Sequence, residues 1–242
     1  NQYQLPASEE TLASILKRHG YATAAVGDEP FAPTNAMGGV ERLYSSDPEY
    51  NRFLAEAGWA DRAAEHKERL KTGFQAHPAP WPEEVDETAY FAGRAIDFIK
   101  ETQHRPFFLH VNFRRPHHPF DPPAPFDRMY DGAAFPPSHR REGEMQNKPP
   151  SHMKSLEDTA GFDLRRMTAQ DLHRIKSYYY GMISLNDKHI GRMLNALSRL
   201  GLAERTIVVL TADHGEMLGD HGLLFKARYM YDEVLRTPMI IR

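Results

Sequence analysis

The sequence predicts an α/β fold with a largely parallel central sheet flanked by helices, and three observations lead to this prediction. Helical periodicity is followed by a short apolar run three times along the chain. The last run, Thr-Ile-Val-Val-Leu-Thr at 206–211, is rich in β-branched residues, which is typical of a central strand covered on both faces. Alternating helices and strands favour parallel pairing, because each helix carries the chain back to the start of the next strand.

The first two helix and strand pairs follow from capping residues and apolar runs. Ser8 is a candidate N-cap, so we predict a helix over 9–19 and a buried strand over 21–26. Thr88 is expected to cap a second helix, which precedes a strand at 106–113.

The third helix is predicted to be the longest, because one apolar face continues up to Gly201. Its start has Thr168 and Asp171 at the spacing of a capping box. We expect burial at ten apolar positions in these helices and strands. They are Leu12, Leu16, Val26, Leu109, Val111, Ile183, Ile207, Val208, Val209 and Leu210.

Two long excursions interrupt these elements, at about 28–87 and 114–167. The first is rich in Pro and Gly around one amphipathic piece near 51–71. The second is rich in Pro and His and much longer than an ordinary connection, which is typical of binding or catalytic loops. Because the chain opens next to a helix pattern and stops in a strand pattern at 238–242, we expect residues 1–242 to be the central part of a larger domain, truncated at both ends.

The composition excludes several classes of protein. The chain has 242 residues, 40% of them apolar, and 30 basic against 33 acidic residues, which argues against disorder and against a basic nucleic-acid footprint. No apolar run approaches the roughly 20 residues that cross a bilayer. The absence of cysteine excludes disulfides, thiolate metal sites and a cysteine nucleophile within these residues. The sequence leaves the cellular compartment open.

Functional groups of α/β sheets gather in loops beyond the strand C-termini, and the loop after 206–211 contains Asp213 and His214. A carboxylate oxygen and a neutral imidazole nitrogen suit a divalent cation when further ligands converge, so this pair is a candidate for metal binding. Two ligands do not make a site, and an Asp-His pair is also common in a turn with an N-cap.

Two further candidates lie in loops with a restricted backbone or with glycine. Prolines on both sides of His117 and His118 would hold the imidazoles in fixed directions, which suits a general acid or an oxyanion contact, although a rigid surface loop explains the pattern equally well. Lys226 could pair with an anion at the same sheet edge, or could simply be solvated. We expect eight other histidines to be exposed. They are His19, His66, His77, His104, His139, His152, His173 and His189.

Together these segments resemble the sulfatases of the alkaline-phosphatase superfamily. The resemblance is strongest at 211–222, Thr-Ala-Asp-His-Gly-Glu-Met-Leu-Gly-Asp-His-Gly, and extends to Lys226. The helix pattern at 178–191, the loop at 116–123 and the segment 20–27 also look like parts of that family. The resemblance implies an alkaline-phosphatase-like three-layer sandwich and a metal-dependent hydrolase of sulfate esters.

The resemblance also implies roles for individual residues. Asp213 and His214 match metal-ligand positions, and the metal would most often be Ca²⁺, with Mg²⁺ or Mn²⁺ as alternatives. His117 and Lys226 match the catalytic and substrate-binding histidine and lysine that contact the sulfate. The implied partner is a small-molecule or saccharide sulfate ester, with no nucleic acid and no membrane span.

The sequence departs from the family pattern in two ways. It has no Cys/Ser-x-Pro-x-Arg motif and no early Asp-Asp pair, so the formylglycine nucleophile and two metal ligands are expected upstream of Asn1, and the fragment alone should be inactive. Asp28 follows Gly27 where the family has a lysine. This places a negative charge beside an anion unless the loop is rearranged or another basic residue substitutes. The alternatives are therefore a phosphonate or phosphate ester hydrolase of the same superfamily, or a non-catalytic sulfatase-like binding protein.

Overall fold

The computed structural model describes residues 9–27, 38–226 and 229–242. The helices, in chain order, are α1 Leu12–Arg18, α2 Asn51–Glu56, α3 Ala60–Arg69, α4 Glu87–Thr102, α5 Pro150–Glu157, α6 Ala169–Arg199 and α7 Asp232–Leu235. The strands are β1 Ala22–Gly27, β2 Arg42–Ser45, β3 Phe107–Asn112, β4 Val209–Thr211 and β5 Met239–Ile241. The chain divides into two units. The first comprises Asn1–Glu65, Pro80–His117 and Ile183–Thr206, and the second comprises His66–Ala79, His118–Met182 and Ile207–Arg242.

The first unit contains a three-stranded parallel sheet in the order β2-β1-β3. The central strand β1 is buried along its whole length, because it has a partner strand on each side and α4 packs against it. Val26 lies with Phe91 and Ala95 of α4 in one apolar cluster, and Ala24 lies with Phe98 in another. The predicted α/β class, with a parallel sheet flanked by helices, is confirmed.

The boundaries of the first elements differ from the prediction because different residues provide the caps. Helix α1 begins at Leu12 rather than at residue 9, since Thr11 and Ser14 form a capping box. Ser8 lies outside the described residues. Helix α4 is capped by Asp86, not by Thr88, because the Asp86 carboxylate accepts a hydrogen bond from the Thr88 amide at 3.0 Å.

The excursion at 28–87 holds a sheet strand that the sequence did not indicate. Strand β2 pairs in parallel with β1. Its residues Arg42 to Ser45 are exposed or half-buried, so this strand does not have the apolar run that would have predicted it. Helices α2 and α3 account for the amphipathic piece near 51–71. The later excursion at 114–167 contains helix α5.

The second unit is built around an apolar core that includes Phe120, Ile175, Met182 and Met217, all fully buried. Helix α6 begins at the predicted capping box. The Asp171 amide donates to the Thr168 hydroxyl at 3.1 Å, and the Thr168 amide donates to the Asp171 carboxylate at 3.0 Å. The longest described helix is therefore the predicted one.

The prediction that the run at 206–211 forms a central strand covered on both faces is wrong. Strand β4 pairs antiparallel with β5, and the side chains of Ile207 and Val209 are 80% and 53% exposed. A β-branched run indicates extended backbone, whereas its depth depends on what packs against it, and β5 is its partner strand among the described residues.

The other predicted core positions also differ in how far they are buried. Val26 is buried, whereas Leu12 and Ile183 are exposed. The remaining five are half-buried, namely Leu16, Leu109, Val111, Val208 and Leu210.

Candidate functional site

The loop that follows β4 is held tightly in the second unit. The Gly215 amide donates to the carbonyl of Val234 at 2.8 Å, and a Cβ atom at Gly215 would lie 1.9 Å from the carbonyl oxygen of Glu233. Only glycine allows this close approach of two backbone segments. The direction of the neighbouring Asp213 and His214 is therefore set by packing against α7.

The imidazole of His214 has a defined tautomer. Its Nδ1 lies 2.7 Å from the carbonyl oxygen of Gly215, which can only accept, so Nδ1 carries the proton and Nε2 presents a lone pair. The Asp213 carboxylate accepts a hydrogen bond from the His214 amide at 3.0 Å, and its other oxygen lies 3.5 Å from Nε2. The loop thus presents an oxygen donor and a nitrogen donor side by side.

Lys226 reaches the same point. Its Nζ lies 2.5 Å from His214 Nε2, so the ammonium donates to the ring nitrogen. The preceding residues Leu223, Leu224 and Phe225 are buried, and the Met217 amide donates to the Phe225 carbonyl at 3.3 Å. Because the chain is anchored on both sides of the site, three of the four predicted site residues lie together.

The fourth predicted residue, His117, belongs to the first unit. Its amide donates to the Arg114 carbonyl at 2.9 Å, which closes a turn after β3. That His117 shares a cleft with Asp213 and Lys226 stays a prediction. His118 belongs to the second unit, where its ring packs against Phe225 with centroids 4.0 Å apart. Asp28, which departs from the family pattern, lies outside the described residues.

The site also includes Glu216, to which we assign no role from the sequence. Loss of water around its carboxyl raises the pKa of Glu216 to about 7, although the amides of Leu218, Phe225 and Met217 and the charge of Lys226 oppose this change. Desolvation also raises the pKa of the Tyr179 phenol above its ordinary value, and the nearby Glu216 adds to the effect. Glu216 lies within the stretch 211–222 that carries the family resemblance, but nothing in the sequence indicated that its carboxyl would lose contact with water.

Two histidines predicted to be exposed are buried instead. His66 lies within 3.1 Å of the Asp121 carboxylate in the second unit. In the first unit, His189 lies 3.2 Å from the Glu83 carboxylate and 2.8 Å from an Arg192 nitrogen. Burial, together with the Arg192 charge, lowers the pKa of His189. Their sequence positions gave no indication, because the acidic partners are 55 and 106 residues away.

The donors at the loop after β4 fit a divalent cation in kind but not yet in number. A metal-bound histidine ordinarily donates its other ring N–H to a carbonyl or carboxylate, as His214 does to Gly215. The adjacent carboxylate of Asp213 is a hard oxygen donor, and its side chain is 85% exposed. Among the described residues, no group of three or more His, Asp or Glu side chains is placed to hold a metal ion.

The fold places this chain among the α/β domains that resemble alkaline-phosphatase-like hydrolases. Its structure matches the phosphonate monoester hydrolase of Agrobacterium radiobacter with a TM-score of 0.79 and 28% identity, over 98% of this chain and 53% of that chain. The sequence model of the Sulfatase family matches residues 2–242. The chain therefore belongs to the Sulfatase family.

Individual relatives carry two kinds of description. An arylsulfatase of Clostridium perfringens is 29% identical over 258 residues, which cover 96% of this chain and 52% of the relative. The multifunctional alkaline phosphatase superfamily protein PehA of Trinickia caryophylli is 31% identical over 180 residues, which cover 70% of this chain and 35% of PehA. The chain spans about half the length, or less, of these relatives. No described helix has the length and apolar character needed to cross a membrane.

Proposed function

We propose that the full-length protein hydrolyses sulfate esters of small molecules or saccharides, and that this chain supplies part of the metal and sulfate site. The observation that carries the proposal is the convergence of Asp213, His214 and Lys226 within hydrogen-bond or near hydrogen-bond distance. A carboxylate, an imidazole lone pair and an ammonium in one loop region suit a cation and a tetrahedral anion bound side by side.

Asp213 and His214 would hold the divalent cation, most often Ca²⁺, with Mg²⁺ or Mn²⁺ as alternatives. When bound, such a cation neutralises negative charge on the ester oxygens. The Gly215 carbonyl keeps His214 in the tautomer that offers Nε2. Further oxygen ligands are needed to complete the coordination.

Lys226 and His117 would act on the substrate itself. The Lys226 ammonium would turn from His214 toward a sulfate oxygen, where a compact charge offsets charge that grows in the transition state. The His117 imidazolium would give a proton to the leaving oxygen as the S–O ester bond breaks. The nucleophile is expected to be a formylglycine outside residues 1–242, so the chain by itself should not turn over sulfate esters.

A second candidate is hydrolysis of phosphonate or phosphate monoesters. The likeness to the Agrobacterium phosphonate monoester hydrolase, at 28% identity, supports it. Both anions are tetrahedral, so the same cation and ammonium could hold either one. Paired assays of the full-length protein with 4-nitrophenyl sulfate and 4-nitrophenyl phenylphosphonate distinguish the two. The sulfatase proposal requires turnover of the sulfate, and turnover of the phosphonate alone would contradict it.

A non-catalytic binding protein is the remaining alternative, and a calcium titration separates it from both hydrolases. We expect the full-length protein to bind Ca²⁺ and the Asp213→Ala variant to bind it at least tenfold more weakly, as loss of a charged ligand predicts. Asp61→Ala, which removes an exposed carboxylate on α3, serves as the matched control. Equal and negligible binding by all three proteins would favour the non-catalytic interpretation.

A further inference from the structure

The turn that ends at His117 is held by a buried ion pair two residues earlier. Arg115 is 8% exposed, and its partner Asp86 is completely buried. The Arg115 Nε donates to one Asp86 oxygen at 3.2 Å and Nη2 donates to the other at 2.7 Å. Two parallel hydrogen bonds fix the plane of the guanidinium as well as its distance.

The main chain at the same residue is held independently by helix α6. The Asn186 side-chain amide donates to the carbonyl of Arg115 at 2.6 Å. The oxygen of the same amide is buried and has no hydrogen-bond partner within the part of the chain that the structure describes. Helix α6 therefore leaves one polar atom unsatisfied there while it binds the peptide group immediately before Pro116.

Asp86 joins this turn to helix α4. Its carboxylate caps α4 through the Thr88 amide at 3.0 Å, and the Trp81 indole N–H lies 3.4 Å from its second oxygen. Pro116 then restricts the backbone between Arg115 and His117. The backbone that leads into His117 therefore has little freedom, because Arg115 is held through α4 and α6 and Pro116 restricts the next step.

The buried pair of Asp86 and Arg115 is better explained by the geometry it imposes than by a contribution to the free energy of unfolding. Desolvation of two charges offsets most of their attraction, so a buried ion pair is seldom a net source of stability over apolar residues of the same size. A bidentate ion pair can still be useful because it fixes the position of the backbone, since catalytic groups must be held within a fraction of an ångström.

We propose that Asp86, Arg115 and Asn186 are positioning residues that fix the direction of the His117 imidazole toward the leaving oxygen of the substrate. The inference rests on the proposed function, in which His117 donates a proton to that oxygen. None of the three contacts the reacting atoms in this proposal, and each acts through the turn that carries His117.

The test uses the dependence of rate on the leaving group. A poor leaving group needs its proton more than a good one does, so a displaced acid slows phenyl sulfate more than 4-nitrophenyl sulfate. For Asn186→Leu in the full-length protein we expect kcat to fall about tenfold more with phenyl sulfate than with 4-nitrophenyl sulfate, with little change in KM. Combined with His117→Ala, the substitution should cause no additional loss.

Thr102→Val is the matched control, because it removes a buried hydrogen bond at the far end of α4, from the Thr102 hydroxyl to the Phe98 carbonyl at 2.7 Å. It should affect both esters equally. Arg115→Lys, which keeps the charge but not the fork, is the second variant if Asn186→Leu does not fold. Equal losses for both esters in Asn186→Leu and Arg115→Lys, or losses that add to those of His117→Ala, would overturn the inference.

The outcomes also separate the inference from the proposed function. A wild-type protein that turns over neither sulfate nor phosphonate esters overturns both. If His117→Ala is selective for the leaving group and the Asn186 and Arg115 variants are not, the hydrolase proposal stands and the positioning inference alone is wrong. If the protein hydrolyses phosphonates only, the same comparison is made with phenyl and 4-nitrophenyl phosphonates.

Discussion

At the scale of single residues, one carbonyl decides what His214 can do. Because the Gly215 carbonyl accepts a hydrogen bond from Nδ1–H, Nε2 can accept from Lys226 or bind a cation, but cannot donate while the ring is neutral. Lys226 therefore occupies the position where a cation would be attracted. In the proposed function, its ammonium would turn to the substrate anion once a metal ion engages the imidazole.

Replacement of this lysine tests its proposed role. We expect Lys226→Met in the full-length protein to lower kcat/KM for aryl sulfates on the order of 10²-fold, since one charge aimed at the transition state is lost. Steady-state kinetics measure this effect, with Lys154→Met as the control because Lys154 is exposed on α5. Comparable losses in both variants would show that general charge, not the position of Lys226, is responsible.

A substitution at Gly215 tests how closely the loop after β4 packs against α7. An added Cβ would meet the Glu233 carbonyl at 1.9 Å, so Gly215→Ala must push α7 and the Asp213-His214 loop apart. We expect a loss of roughly 1–3 kcal/mol in the free energy of unfolding, as for other overpacked sites. Urea denaturation followed by circular dichroism measures it.

The matched control is Gly191→Ala within α6, where an added Cβ meets nothing within 4 Å. Alanine is favoured over glycine in a helix, so this variant should gain roughly 0.5–1 kcal/mol. A Gly215→Ala protein as stable as the wild type would mean that the loop after β4 yields without cost, and that the direction of His214 is not set by α7.

At the scale of elements, the start of α6 is a local structure that should be separable from the rest. Thr168→Ala removes the hydroxyl that accepts from the Asp171 amide, so we expect a loss of about 1 kcal/mol, the usual cost of an N-cap. The same denaturation assay measures it, and Ser198→Ala, at an exposed position in the last turns of α6, should gain about 0.5 kcal/mol or less because alanine is the better helix former. If the two variants have the same stability, the capping box contributes nothing measurable.

The elements that the sequence predicted well are those fixed by local chemistry. The capping box at Thr168 and the long apolar face of α6 depend on neighbours three or four residues apart, and both are present. Strand β2 depends on pairing with β1, and the exposure of β4 depends on what packs against it. Neither property is encoded in a short window of sequence, which is why the prediction failed there.

The same distinction between local and long-range contacts applies to the candidate site. Asp213 and His214 are adjacent in sequence, and Lys226 is close enough for one loop to bring them together. The pairs that the sequence did not reveal, Asp86 with Arg115 and Glu83 with His189, join residues far apart in the chain. Long-range partners need the tertiary fold, whereas a loop motif needs only itself.

At the scale of the whole molecule, the buried pair should appear in the pH dependence of folding. Burial alone would raise the pKa of Asp86, but the charge and hydrogen bonds of Arg115 outweigh it and lower the pKa. The stabilisation is therefore present above the unfolded-state pKa of about 3.9 and is lost as pH falls through the lower folded-state value. Asp86→Asn should unfold more easily at pH 7, by roughly 3–5 kcal/mol, and show a flatter loss of stability below pH 4.

Denaturation curves from pH 2 to pH 7 measure this difference, and Asp61→Asn, an exposed carboxylate on α3, is the control with an almost unchanged profile. A wild-type profile in the Asp86→Asn protein would show that the ion pair does not contribute to the acid sensitivity of the fold.

Metal removal tests the proposed cation at the same scale, without relying on activity. A ligand that binds only the folded state stabilises it by about 2.7 kcal/mol at 100 times its Kd, which raises Tm by a few degrees. We therefore expect EDTA to lower the Tm of the full-length protein and Ca²⁺ to restore it, as followed by differential scanning calorimetry. Asp213→Asn keeps the shape of the side chain but not its charge, so its Tm should respond little to either treatment. Because Asp213 is exposed, this substitution should not itself disturb the core. An equal response in both proteins would place the stabilising cation elsewhere and remove Asp213 from the set of ligands.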